Sequence, residues 1–333
     1  MNGHSRCFSF YPLLAPILGI FKLKYHTKQS KIQKSFLFSL NSIFGCKLLS
    51  MDTTCSASED FYQQRLHQIA GDADKTNDIY VCGQKQNCKE HIIFFGGDVQ
   101  DYPENMERHR DNKRYIHWNT ESTAKLIHHK FPSSLVFVVK PTRMHLLTFA
   151  VYSHFFEAND FGNPTHSDNS GAIRHLNCLY NSAVKVVYSE DDEGSDIANL
   201  NVSIRLLGFS KGCTVLNQIV YELHLSDHDP VIKSFLEKVT AFYWLDGGHS
   251  GGANSHTWVT DDSALKQLAL LGCDIFIHVS PYQVRDPMRK WIGQQESKFY
   301  KKLMALKAKV REKEHFESEP ACIENHFKVL EVF

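Results

Sequence analysis

The first 51 residues of this 333-residue chain contain no aspartate and no glutamate. They do contain seven basic residues: Arg6, Lys22, Lys24, Lys28, Lys31, Lys34 and Lys47. The remaining residues, 52–333, therefore hold 30 basic and 37 acidic side chains, a net of −7. The formal neutrality of the whole chain, 37 against 37, is the sum of a basic leader and an acidic body. An acid-free leader rich in Ser, Phe, Leu and Lys suits import driven by an interior-negative potential. Residues 1–51 are thus expected to be a mitochondrial transit peptide. The alternatives are a plain tail and a secretory signal with Phe8–Phe21 as its apolar region, although Pro12 and Pro16 interrupt that stretch.

Other absences narrow the class. No run reaches the roughly 18 apolar residues that a spanning helix needs, so no integral membrane span is expected. The nine cysteines include no C-x-x-C pair, and their odd number and scatter exclude a zinc ribbon or a disulfide framework. Free thiols in a reducing compartment are expected, with a Cys82–Cys88 pair across a hairpin as the alternative. Glycine (18) and proline (10) are too few for a collagenous or low-complexity chain. Zero net charge argues against nucleic acid as a partner, and the acidic body argues against an anionic membrane. A hydrophobic fraction of 42% with 12% aromatics supplies a substantial core.

The body alternates short apolar runs with helical patterns. Residues 52–78 read as a linker with a short helical stretch near Phe61–Ile69. The runs Ile79–Cys82, His91–Phe95, Leu135–Val139, Val202–Leu207, Val239–Leu245, Asp274–Val279 and Val310–Phe316 read as strands. Several are apolar almost throughout, as strands covered on both faces are. Thr120–His129, Met144–Ala158, Gly171–Val187, Lys211–Leu225, Asp261–Leu271 and Pro287–Lys309 read as helices, with Asp261 or Asp262 as an N-cap. The expectation is an α/β domain over 79–333, with a mostly parallel sheet and helices on both faces. Residues 161–198 are read as an insertion in it, ending in the acidic run Ser189–Asp196.

The strongest local signal is Gly208-Phe209-Ser210-Lys211-Gly212, a G-x-S-x-G that follows an apolar strand and opens a helix. Its glycines permit a sharp turn, its serine stands at the strand tip, and the helix beginning at Lys211 aims backbone N–H groups at any oxyanion formed there. A serine nucleophile needs an acid and then a histidine later in the chain. Asp286, after the strand Asp274–Val279, and His326, in Glu324-Asn325-His326-Phe327, are the favoured pair. Asp246 and His249, in Leu245-Asp246-Gly247-Gly248-His249, are the alternatives. The strand His91–Phe95 runs into Gly96-Gly97-Asp98, so Gly97 or Asp98 is expected to supply an oxyanion N–H beside that of Lys211. No metal and no organic cofactor are implied. The alternative to catalysis is an inactive module that binds or scaffolds other molecules in mitochondria, since fold does not guarantee activity.

These features together resemble the α/β-hydrolase superfamily over roughly 79–333. More narrowly, IIFFGGDVQDYPENM (92–106), LLGFSKGC (206–213), YWLDGGHSGG (243–252), YQVRDPMR (282–289) and ENHF (324–327) are similar to an animal family of mitochondrial, hydrolase-like proteins known by open-reading-frame names. The resemblance implies mitochondrial residence and a serine esterase, thioesterase or lipase acting on an acyl substrate. It implies no particular substrate and leaves a protein partner open. Lys211 departs from the superfamily pattern, which commonly places a small or apolar residue after the nucleophile. A cation there attracts an anionic substrate, lowers the serine pKa, or turns to solvent from the helix N-terminus, where it is mildly unfavourable.

Overall fold

The computed structural model describes residues 61–189, 202–249, 251–252 and 255–333. The leader expected over 1–51 and nearly all of the acidic run 189–196 lie outside these residues.

Eight strands form one sheet. They are β1 (Phe61–Ala70), β2 (Thr76–Gln84), β3 (Glu90–Phe95), β4 (Ser134–Val139), and, after four short strands described below, β9 (Ser203–Phe209), β10 (Val239–Leu245), β11 (Asp274–Val279) and β12 (Lys309–Glu314). Their order is β1-β2-β4-β3-β9-β10-β11-β12. β1 and β2 run antiparallel to their neighbours and the rest are parallel. The expected mostly parallel sheet is therefore observed. The central strands are buried on both faces, which is why β4 (SLVFVV) reads as a continuous apolar run. The edge strand β12 (KVREKE) is charged and mostly exposed, which discourages pairing with another chain.

The helices are α1 (Pro103–Arg108), α2 (Thr120–Lys130), α3 (Ala172–Ser189), α4 (Cys213–Glu222), α5 (Pro230–Leu236), α6 (Asp262–Leu270), α7 (Pro281–Val284), α8 (Lys290–Ala305) and α9 (Ile323–Val332). One face of the sheet packs α3, α4, α6 and α8 through Leu176, Leu179, Leu216, Ile219, Leu265 and Phe299. The other packs α2 and α9 through Ile127, Phe327 and Leu330 against Ile92, Phe94, Leu207 and Phe209. Each such large apolar side chain contributes about 1.5–3 kcal/mol when fully buried. Asp261 caps α6 by accepting the Ala264 N–H, as expected.

Three expectations are corrected. Phe61–Ile69 is not helical within a linker: it is strand β1, paired antiparallel with β2 from Phe61 opposite Gln84. A bulge between Leu66 and Ile69, with Gln68 at φ +50°, breaks its period-2 alternation. Met144–Ala158 is not a helix either. It forms a hairpin of β5 (Arg143–His145) and β6 (Phe149–Val151), followed by β7 (Glu157–Ala158) paired with β8 (Pro164–Thr165). Leu146 and Leu147 turn the hairpin with φ of +50° and +57°. Its backbone finds partners outside itself: the Ala150 N–H donates to the Asp98 carboxylate, and Thr148 O accepts the Val99 N–H. Those tertiary partners override the local pattern. Finally, Pro287 belongs to the turn before α8 rather than to the helix. Cys82 and Cys88 are both free thiols.

Candidate active site

Parallel pairing brings the C-terminal ends of four strands to one edge. Phe95 at the end of β3 pairs with Gly208, and Leu245 at the end of β10 pairs with both Phe209 and His278. The residues that follow, Gly96-Gly97-Asp98, Ser210, Asp246 and Ser280, therefore emerge side by side. This edge is where ligands meet open α/β sheets.

Ser210 sits in the turn between β9 and α4 with φ +51° and is 8% exposed. That left-handed backbone is costly for a side-chain-bearing residue and persists only where its surroundings impose it. The flanking glycines are obligatory. A Cβ on Gly212 would come 2.0 Å from Phe95 O, and one on Gly208 would come 2.9 Å from the Cys213 backbone. The elbow is thus pressed onto the end of β3.

His326 lies in the first turn of α9 rather than on a loop. Its ring stacks on Phe209, the residue before Ser210, at 4.6 Å between centroids, and lies 4.9 Å from the ring of Tyr282. Its Nδ1 donates to Asp246 Oδ2 at 2.7 Å. Because a carboxylate only accepts, this bond places the ring proton on Nδ1 and leaves Nε2 free to accept. Asp246 is wholly buried. It also accepts the Ser280 N–H at 2.6 Å and the Ser280 hydroxyl, so its charge has three donors. Its own N–H donates to His278 O at 2.6 Å.

Asp286 is placed elsewhere. It accepts the Met288 N–H at 2.8 Å and the Arg289 guanidinium at 2.6 Å. Burial works against its ionised form, but the Arg289 bond outweighs that and holds its carboxyl below the usual range. Asp286 therefore fastens the turn that leads into α8, and the geometry gives the histidine's partner to Asp246. His249 is buried, and its Nδ1 accepts the Gly251 N–H at 3.1 Å. Burial, with Lys211 nearby, lowers its pKa to about 3, so it stays neutral.

On the oxyanion side, Gly97 abuts the nucleophile: a Cβ there would come 2.6 Å from Ser210 Cβ. Its N–H, however, already donates to Gln100 Oε1 at 2.9 Å. Gln100 is held in turn by Trp118 O and Thr123 Oγ1. Gly97 therefore serves by what it lacks, a side chain, and Asp98 and Lys211 remain the candidate N–H donors. The Lys211 N–H lies in the first turn after the elbow, where backbone donors have no intrahelical acceptor. The Lys211 side chain does not turn to solvent; it is fully buried and pairs with Asp98.

Sequence reasoning missed Ser280, Gln100 and Tyr282. Asp246 had a usable signal, since it directly follows an apolar strand just as Ser210 does. Among the described residues no cluster of His, Cys, Asp and Glu is arranged to hold a metal ion, and no helix is long and apolar enough to cross a membrane.

The profile of the C2orf69 family matches residues 65–200 and 186–309. A Danio rerio protein, "Mitochondrial protein C2orf69 homolog", is 42% identical over 255 residues, covering 74% of this chain and 74% of its own length. The Homo sapiens "Mitochondrial protein C2orf69" is 38% identical over 288 residues, again with 74% of each covered. The Mus musculus homologue is 35% identical over 322 residues, covering 83% of this chain and 88% of its own. Among solved structures, the chain is similar to esterase Est22, with a TM-score of 0.42 and 14% identity over 81% of this chain and 75% of that one. It is also similar to a dienelactone hydrolase from Anabaena variabilis, with a TM-score of 0.40 and 11% identity over 82% and 96%.

Proposed function

We propose that this chain, which belongs to the C2orf69 family, is a serine hydrolase that cleaves an ester or thioester of an acyl group through Ser210, His326 and Asp246. It is a mitochondrial protein, as its relatives are. The observation that carries the reading is the Asp246–His326 bond of 2.7 Å, on a ring stacked against the residue that precedes a serine in left-handed backbone.

In this reading His326 Nε2 takes the Ser210 hydroxyl proton as Oγ attacks the acyl carbon. Asp246 holds the ring in the required tautomer and stabilises the imidazolium that forms. The tetrahedral oxyanion accepts from the N–H groups of Asp98 and Lys211. Collapse of the intermediate breaks the bond to the leaving alkoxide or thiolate, which takes the proton back from His326. Water, activated by the same histidine, then attacks the acyl-enzyme and releases the carboxylic acid and Ser210.

The test is labelling by a fluorophosphonate probe, which reacts only with an activated serine. The wild-type chain should label and Ser210→Ala should not. Equal labelling of the two, or none of a folded wild type, overturns the reading and leaves the inactive binding module.

A further inference from the structure

The mechanism above uses only the backbone of Lys211. Its side chain is 0% exposed, in a position directly after the nucleophile. Removing an ammonium from water is strongly unfavourable unless partners replace its hydration. Here Nζ donates to Phe161 O at 2.6 Å, lies 3.3 Å from Asp98 Oδ1, and faces the Phe149 ring at 5.9 Å.

These partners come from two further chain segments. Asp98 belongs to the glycine-led loop after β3, and its Oδ1 also accepts the Ala150 N–H of the hairpin at 2.8 Å. The next residue, Val99, has φ +73° and donates its N–H to Thr148 O at 2.6 Å. A β-branched residue in left-handed backbone is an outlier that relaxes when its ties are cut. Phe161 and Gly162 close the far side. A Cβ on Gly162 would come 2.0 Å from Ala150 O and 3.4 Å from Lys211 Nζ, so this turn is pressed against both the hairpin and the ammonium. Elbow, oxyanion loop and hairpin therefore meet at one buried charge.

We propose that Lys211 is a positioning residue whose ammonium clamps the oxyanion loop 97–99 and the segment 143–163 onto the nucleophile elbow, and so sets the Asp98 N–H for the tetrahedral intermediate. The proposal rests on the serine-hydrolase reading and deepens it. It also explains why a cation follows the nucleophile: the charge faces inward as a tie between segments, and Asp98 neutralises it, which leaves it poorly suited to attracting an anionic substrate.

The test compares the wild-type chain with Lys211→Met, which keeps length and removes charge, and with Asp98→Asn, which keeps an acceptor for Ala150 and removes the carboxylate. Fluorophosphonate labelling of Lys211→Met should slow by about a hundredfold, as for a misplacement of about 1 Å, and by no more than the roughly 10²–10³ that follows outright loss of an oxyanion donor. On 4-nitrophenyl butyrate, kcat should fall while KM changes little, because the interaction is made in the transition state. Chymotrypsin should cut faster at Leu146 and Leu147. Asp98→Asn should move all three readouts the same way, and the double variant should lose less than the sum of the two. Labelling and proteolysis of both single variants at wild-type rates would overturn the clamp. So would losses that merely track a lower unfolding temperature. If wild type itself fails to label, the hydrolase reading falls, and the chymotrypsin arm decides the clamp alone: unchanged cutting overturns it, faster cutting upholds it.

Discussion

His326 Nδ1 and Asp246 Oδ2 lie 2.7 Å apart across 80 residues of sequence. The contact joins the first turn of the last helix to the end of a central strand. It is the relationship on which the proposed chemistry turns, and it separates two aspartates that the sequence leaves in competition.

That separation is measurable. Asp246→Asn keeps the shape but no longer requires the proton on Nδ1, so fluorophosphonate labelling should fall by a factor on the order of 10³–10⁴. Asp286→Asn loses only a turn contact with Arg289. Its labelling should stay within about threefold of wild type, with a stability cost of about 1 kcal/mol. Equal losses in the two variants would sink the assignment.

Ser280→Ala removes one of the donors on Asp246 while the Ser280 N–H remains. A hydrogen bond to a buried carboxylate is worth about 1.5–3 kcal/mol. Thermal or urea unfolding should show a loss in that range. Labelling should slow by about tenfold, because a less constrained Asp246 orients the imidazole less well.

Gly97→Ala places a methyl 2.6 Å from Ser210 Cβ, where neither backbone has room. Overpacking of this kind costs about 1–3 kcal/mol. The larger effect should be on reactivity, with labelling reduced by about 10² as the elbow and the oxyanion loop move apart. Circular dichroism should still show a folded chain; wild-type labelling rates would count against the close approach.

Away from the site, Glu296 on α8 is 4% exposed, and its Oε1 has no partner. Burial, with the charge of Glu312 beside it, raises its pKa from the ordinary 4.5 to about 8. The sign follows from proton counting. Between those values the unfolded chain releases a proton that the folded chain keeps, so folding weakens as pH rises from about 4.5 to about 8. The total is a few kcal/mol at most. Glu296→Gln should match wild type near pH 4 and exceed it in stability at pH 8. Urea midpoints measured across that range test this; parallel curves for the two proteins would refute it.

The strands were legible because burial on both faces demands an uninterrupted apolar run, as in β4 and β10. The nucleophile was legible because its constraints are local: two glycines, a preceding strand and a following helix. The hairpin at 143–151 was not, since Asp98 and Val99, some 50 residues earlier, tie it down through the Ala150 N–H and Thr148 O. Strand β1 escaped notice because the bulge between Leu66 and Ile69 breaks its alternation.

The sequence by itself determined the buried central strands and the serine at the elbow, which depend on neighbours within a few residues, and the split between a basic leader and an acidic body, which composition alone carries. Which aspartate meets His326, and which way Lys211 points, was decided only by tertiary structure. Both depend on the register of parallel strands and on how distant loops pack over their ends. Pairing of Leu245 with His278 places Asp246 against Ser280, and packing of Phe161 and Asp98 around Nζ turns a lysine inward.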